Sequence, residues 1–323
     1  WSRGLGDVYK RQFYRKAEPS LVSGSQLNFG AIREGETFAA KSLEVRNAAV
    51  STDAFSDDLK AVLTTTETAW GAAGVVGRVG AGTSNTGLQV RYTGSTAAAG
   101  MVSGTAQLTY TSQGRLGTGL SDVAPTVTGD ALTMTGKIFR LATPSVSATL
   151  VGGVVDLGSI RTGTTASAQP VTVSNTSLAD GFSDLLRVVP ASGTGGFSLT
   201  AGADVAAGGT RDLSISFSGS PGGLATGTVQ FGFASIGQEG TGLPDFALPG
   251  STQTLSLRGI VWRAASPAVA SNLITLAPIR EGQTFAMKTI SITNDVPNDG
   301  ASERLNASFG TVTGDLVKSG GPI

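Results

Sequence analysis

The groups in this chain whose spacing could serve chemistry are carboxylates, arginines and one glycine-rich run, because the usual catalytic side chains are missing. The 323 residues contain no His and no Cys. Without His there is no ordinary general base, no imidazole for zinc and no switch near neutral pH. Without Cys neither disulfides nor thiolate chemistry arise. Acidic residues cluster at Asp53, Asp57 and Asp58, again at Asp180 and Asp184, and more weakly at Asp299 and Glu303. Such carboxylates could ligate calcium at a domain joint, where the ion takes about six to eight oxygens. Their spacing matches no dense Asp/Asn/Gly loop, so the expectation is Asp at turns, bonded to its own backbone. No metal ligand is assigned.

The run Gly71–Gly87 contains GRVGAGTS, which invites a phosphate-loop reading. That loop needs a Lys to reach the phosphates and a helix whose N-terminus faces them. Neither is present: the strand-like LQVRY (Leu88–Tyr92) follows. The run is expected to be a flexible or hairpin loop. Arg33, Arg161 and Arg280 recur in Ile-Arg pairs beside turns, and are expected to pack along a sheet edge rather than to hold a ligand. Trp70 and Trp262 are too few for a sugar-stacking platform and are expected in core or joint packing. Serine hydrolysis lacks its His and its strand–GxSxG–helix setting. A paired-carboxylate glycosidase would recur in every repeat, an unusual arrangement for small sandwiches. No catalytic residue and no cofactor are assigned.

The elements that must position these groups come in copies. FGAIREGETFAAKSLEVRN (Phe29–Asn47) returns as LGSIRTGTTASAQPVTVSN (Leu157–Asn175) and as APIREGQTFAMKTISITN (Ala277–Asn294). From Ile32 to Ile160 to Ile279 the steps are 128 and 119 residues, and Asn47, Asn175 and Asn294 repeat both. The period is domain-sized, far too long for a parallel β-helix. Within each copy, apolar residues alternate with polar ones, as in SLEVRN, LQVRY, AQLTYT (Ala106–Thr111) and ALTMTGKIF (Ala131–Phe139). Unit 2 answers with LSISF (Leu213–Phe217), VQFGF (Val229–Phe233) and TLSLRGIVW (Thr254–Trp262). A period of two marks half-buried strands.

Gly136 and Gly259 sit inside such strands, where Gly marks a bulge or a close backbone approach. DAFSDDL (Asp53–Leu59) and DGFSDLL (Asp180–Leu186) have room for one helical turn each. Pro144 and Pro267 stiffen the joints RLATPSV and RAASPAV. Three divisions follow: residues 18–143, residues 144–266 and a partial unit at 267–323, whose expected strands are LITL, KTISITN and LNASFG. The fold class is all-β, tandem immunoglobulin-like antiparallel β-sandwiches.

Composition agrees. Charged residues are 14% of the chain, with 46 Gly, and 23 basic balance 23 acidic residues. Five of the basic residues, Arg3, Lys10, Arg11, Arg15 and Lys16, lie in the first sixteen against Asp7 alone. The remaining body is weakly acidic, a poor partner for nucleic acid or anionic membrane. No apolar run is long enough to span a bilayer. WSRGLGDVYKRQ resembles translated adapter text at the edge of an assembled metagenomic fragment, so residues 1–17 are set aside as a non-native or disordered leader, and both ends read as cuts.

LNFGAIREGETFAAKSLEVRN, GGTRDLSISFSGSPGGLATGTVQF (Gly208–Phe231) and GSTQTLSLRGIVWRA (Gly250–Ala264) resemble the choice-of-anchor D repeats of bacterial surface proteins, relatives of the Hydin-type module. DGFSDLL resembles the subset found with PEP-CTERM sorting tails. The resemblance covers nearly all of residues 18–323, though this chain has no sorting tail and carries an insert at Thr64–Gly87. It implies an exported, surface-anchored protein without catalytic residues. The expected role is a structural or adhesive array on the bacterial cell surface, whose partners are its neighbouring repeats and a surface or matrix ligand. The alternatives are a carbohydrate- or protein-binding accessory of a secreted enzyme and, more remotely, a cytoplasmic scaffold.

Overall fold

A computed structural model describes residues 13–165, 170–219 and 221–314; the set-aside stretch Trp1–Gln12 lies outside them. The first unit holds β1 (Pro19–Leu21), β2 (Gln26–Arg33), β3 (Lys41–Asn47), β4 (Asp58–Thr64), β5 (Trp70–Ala72), β6 (Gly74–Val79), β7 (Ser84–Tyr92), β8 (Gly100–Gln113) and β9 (Gly129–Phe139). They form two sheets, ordered β1-β3-β7-β5 and β2-β9-β8-β4-β6. The second unit holds β10 (Pro144–Ala148), β11 (Val155–Arg161), β12 (Pro170–Asn175), β13 (Leu185–Gly193), β14 (Phe197–Thr200), β15 (Thr210–Phe217), β16 (Gly223–Ile236), β17 (Phe246–Ala247) and β18 (Gln253–Trp262). Its sheets run β10-β12-β15-β14 and β11-β18-β16-β13, with β17 added on β16. The chain is thus all-β, built of immunoglobulin-like sandwiches, and no helix occurs among the described residues.

Alternation builds each core. In β3, Leu43 and Val45 are fully buried while Arg46 faces solvent. Such side chains contribute about 1.5–3 kcal/mol each on burial. One core gathers Leu43, Leu59, Leu88, Leu108, Leu132 and Met134; the other gathers Val171, Leu186, Ile215, Phe217, Phe231 and Val261. Between the named strands the pairing is antiparallel except at one place in each unit, where β2 runs parallel to β9 and β11 parallel to β18. Both parallel pairs slip register, between Asn28 and Ala31 and between Asp156 and Ser159. Gly30 and Gly158 occupy these bulges at φ 79° and 73°, held by Asn28 Oδ1 and Asp156 Oδ1, which accept their amides at 2.8 Å. A left-handed residue in a bulge suits Gly alone at no steric cost.

The strand glycines mark close approaches. A Cβ on Gly136 would lie 2.8 Å from the Phe38 ring, and one on Gly259 would lie 2.7 Å from Phe217. Phe38 and Phe217 come from different places in their units, so the glycine recurs while its covering ring does not.

Four expectations about the elements differ from the structure. The insert is no loop: β5 and β6 join opposite sheets with only Ala73 between them, and β6 pairs with β4. Asp53–Leu59 and Asp180–Leu186 make no helical turn, because each is a bend that hands the chain into β4 or β13. Residues 13–17, grouped with the leader, are engaged: Ala17 is a core residue and Arg15 bridges Ser56. In the third unit only β19 (Pro267–Val269) and β20 (Ile292–Asn294) pair. LITL and LNASFG form no strands, since nothing described there supplies counterparts of β9 and β18, on which β2 and β11 lie, or of β8 and β16, on which β4 and β13 lie.

Candidate functional site

A recurring polar arrangement lies at the joints, two of its parts written three times and the third twice. Its first part is a linker arginine. Arg15, Arg140 and Arg263 each stand four residues ahead of a proline, Pro19, Pro144 and Pro267. Each proline opens a short strand opposite the recurring asparagine, pairing with Asn47, Asn175 and Asn294. Proline is tolerated there because the first residue of an edge strand need not donate to the ladder. The guanidinium of each linker arginine grips the acid that starts the DxFS-type turn. Arg15 holds Asp53 at 2.7 Å, Arg140 holds Asp180 at 2.8 Å and Arg263 holds Asp299 at 2.5 Å.

The same carboxylates also cap their own turns. Asp53, Asp180 and Asp299 accept the amides of Phe55, Phe182 and Ala301 at 3.1, 2.9 and 3.0 Å. These turn contacts are the ones the residue types imply. The arginine bond first, and the backbone amide second, hold all three carboxyls below the usual aspartate range. They are bound by cations already, and no group of three or more acidic ligands able to hold a metal occurs among the described residues.

The second part is a buried asparagine knot. Asn175 Nδ2 donates to the carbonyls of Asp184 and Val205 at 3.1 and 3.2 Å, while its Oδ1 accepts the Thr143 amide at 3.2 Å. Asn47 repeats this with Asp57, Val79 and Glu18 at 2.9, 3.0 and 3.1 Å. Asn294 keeps the bonds to Glu303 and Ser266. One amide side chain therefore ties linker, strand and acidic turn together, using both its donor and its acceptor capacity.

The third part crosses between units. Arg33 leaves the end of β2, and its Nε donates to Asp184 Oδ2 of unit 2 at 2.8 Å. The two side chains are 7% and 0% exposed. Arg33 Nη2 also donates to the Pro244 carbonyl at 2.6 Å, and the Phe246 ring lies 5.8 Å from its Cζ. Asp184 Oδ2 accepts in addition from Ser235 Oγ at 2.9 Å, and that hydroxyl accepts the Ala142 amide at 2.8 Å. Arg161 makes the equivalent crossing to Glu303 Oε1 at 2.6 Å. The expected packing of these arginines along a sheet edge is therefore replaced by a reach into the next unit. The two crossings differ in worth. Removing one partner of a buried pair costs about 3–5 kcal/mol; Arg161 is 72% exposed, and a surface pair contributes about 0–1 kcal/mol.

Trp70 and Trp262 both find places in the fold. Trp70 is buried between Phe29 and Tyr92, its Nε1 donating to the Ser103 carbonyl at 3.1 Å. Trp262 closes β18 next to the joint, directly before Arg263. GRVGAGTS falls on β6, a turn at 80–83 and the start of β7, so no helix end faces it.

No protein-family model matches the chain, and no curated protein matches it. Solved structures align loosely. A Porphyromonas gingivalis W83 protein of unknown function shares 12% identity, with 75% of this chain and 99% of that one covered and a TM-score of 0.26. A PapD-like domain of human CEP192 shares 12% over 38% and 87%, TM-score 0.26. The protocadherin GammaB4 extracellular domain shares 11% over 85% and 37%, TM-score 0.31. Superpositions this loose leave the fold assignment resting on strand order and sheet register.

Proposed function

We propose that this chain is a non-catalytic segment of a bacterial cell-surface array, in which repeats of the choice-of-anchor D kind act as a spacer or adhesive stalk. Its units are residues 18–143, 144–266 and 267–323, with Arg140 and Arg263 as the hinge pins between successive units and Arg15 as the matching pin at the start of the first. The observation that carries the reading is the recurrence of the joint itself. Selection for two independent domains on a loose tether needs no buried arginine–carboxylate crossing. A stalk that must hold a distance does, because each crossing removes bending freedom. The low charge and the Ser, Thr and Gly on outward-facing strand positions suit a surface meant to resist unspecific adhesion. A carbohydrate-binding accessory would need exposed aromatic residues on one strand face, and Trp70 is spent in the core.

The test is cellular. Antibody raised against the folded chain should label intact cells of the source bacterium, and shaving with protease should release the epitope. Labelling that appears only after the cells are permeabilised would sink the surface assignment.

A further inference from the structure

Asp57 is the residue whose surroundings are incomplete. It stands in unit 1 where Asp184 stands in unit 2. Its amide donates to the Arg15 carbonyl at 2.9 Å, as that of Asp184 donates to Arg140 at 3.0 Å. Its Oδ2 accepts from Ser112 Oγ at 2.8 Å, and Ser112 accepts the Ala17 amide at 2.8 Å, just as Ser235 serves Asp184. Asp57 is 5% exposed, yet among the described residues it has no countercharge, and its Oδ1 has no hydrogen-bond partner there. Asp184 Oδ1 is also unpartnered, so the difference lies in the arginine: Asp184 has Arg33 and Asp57 has none among the described residues.

The wall that supplies the second arginine contact is present as well. The loop after Ser112 matches the loop after Ser235. Thr118 donates to the Arg115 carbonyl and Thr241 to that of Gln238, both at 3.1 Å. Added Cβ atoms on Gly114 and Gly237 would meet the carbonyls of Leu120 and Leu243 respectively. Ser121 thus occupies the place of Pro244, whose carbonyl takes Arg33 Nη2.

A separate observation points the same way. Phe13-Tyr14-Arg15 aligns with Ile138-Phe139-Arg140 and Val261-Trp262-Arg263. Ile138 and Val261 are 1% and 0% exposed inside the sandwich that each closes, whereas Phe13 is 82% exposed. A sandwich ending at Phe13 would bury that ring and bring an Ile-Arg turn over Asp57.

We infer that the Asp57 face is a socket for the arginine of a further sandwich of this same repeat type, joined through Phe13 as unit 1 is joined to unit 2 through Ile138. The inference rests on the array reading, but its test reads stability and not location, so either can fail alone. An unpaired buried carboxylate destabilises the fold that holds it, while one arm of a buried pair stabilises it. In the full chain, Asp57→Asn should therefore raise the thermal midpoint of unit 1, whereas Asp184→Asn should lower that of unit 2. A second protein carries a copy of residues 14–137 placed directly ahead of Phe13. There Asp57→Asn should become destabilising, and Arg33→Gln made in the leading copy alone should abolish that effect. Hydrogen exchange of residues 53–59 should slow when the leading copy is present. If Asp57→Asn already lowers the midpoint in the full chain, Asp57 is satisfied as it stands and the socket is refuted. An Asp57→Asn effect of the same sign with and without the leading copy would refute it equally.

Discussion

At the scale of single residues, Asn175 concentrates more of the architecture than any charged group. Its amide replaces backbone pairing at the point where the linker leaves one sandwich and the acidic turn enters the next, and it is 1% exposed. Asn175→Ala strands the Asp184 carbonyl and the Thr143 amide and removes one of the two bonds to the Val205 carbonyl, which keeps the Leu186 amide. Burying unsatisfied groups costs about 1–3 kcal/mol each. We expect unit 2 to lose about 3 kcal/mol in urea denaturation, with the slope of the transition unchanged; a loss below about 0.5 kcal/mol would mean water restores those bonds. Gly259 acts by absence. The Phe217 ring lies where its Cβ would be, so Gly259→Ala must displace a fully buried aromatic and should destabilise by about 1–3 kcal/mol. Gly232, on neighbouring β16, has open space at its Cβ position, and Gly232→Ala should be close to neutral in the same assay.

At the scale of elements, the strands that alternate cleanly were legible, even with a single glycine inside them, and the insert strand GVVGRV was not. SLEVRN, LQVRY, AQLTYT and TLSLRGIVW all lie on strands, because a period of two with one buried face leaves little alternative. GVVGRV failed the same reading. Its glycines blank the pattern, and a bulge opposite Leu59 and Ala61, with Arg78 at φ 56°, breaks the alternation. The Asx turns were legible from residue type. The crossing of Arg33 to Asp184 was not, since 151 residues separate the two and local pattern does not say where a long side chain goes. A signal did exist: the arginine and the acid recur with nearly the same steps, and together they imply a contact between successive copies. The third unit marks the limit of alternation as a guide. KTISITN has the pattern of β3, but only Ile292–Asn294 pairs, because a strand needs a partner as well as a pattern. Trypsin, or a protease of broad specificity, should therefore cut between residues 270 and 314 well before it cuts 144–262. Equal resistance would show that the third unit closes a core of its own.

At the scale of the whole molecule, the two crossings predict a stalk whose joints differ in stiffness. The Arg33–Asp184 pair is out of solvent and is screened little by salt, whereas the Arg161–Glu303 pair lies within reach of counterions. The chain has no Cys, so pairs of dyes can be placed without background, at Gln89 with Ser214 for the first joint and Ser214 with Lys288 for the second. Raising NaCl to about 1 M should broaden the distance distribution of the second pair and leave the first unchanged. Acid should act on both through the linker pins. The carboxyls of Asp53, Asp180 and Asp299 are held low by their arginines and turn amides. Their stabilisation is therefore complete above the ordinary aspartate value of about 3.9 and is lost as pH falls through the depressed folded values. Distances across both joints should stay constant from pH 7 to about pH 4.5 and spread only below about pH 4. Broadening already near pH 6 would mean that the pins do not hold the joints. A first pair that loosened with salt as readily as the second would show that burial of Arg33 does not stiffen the array.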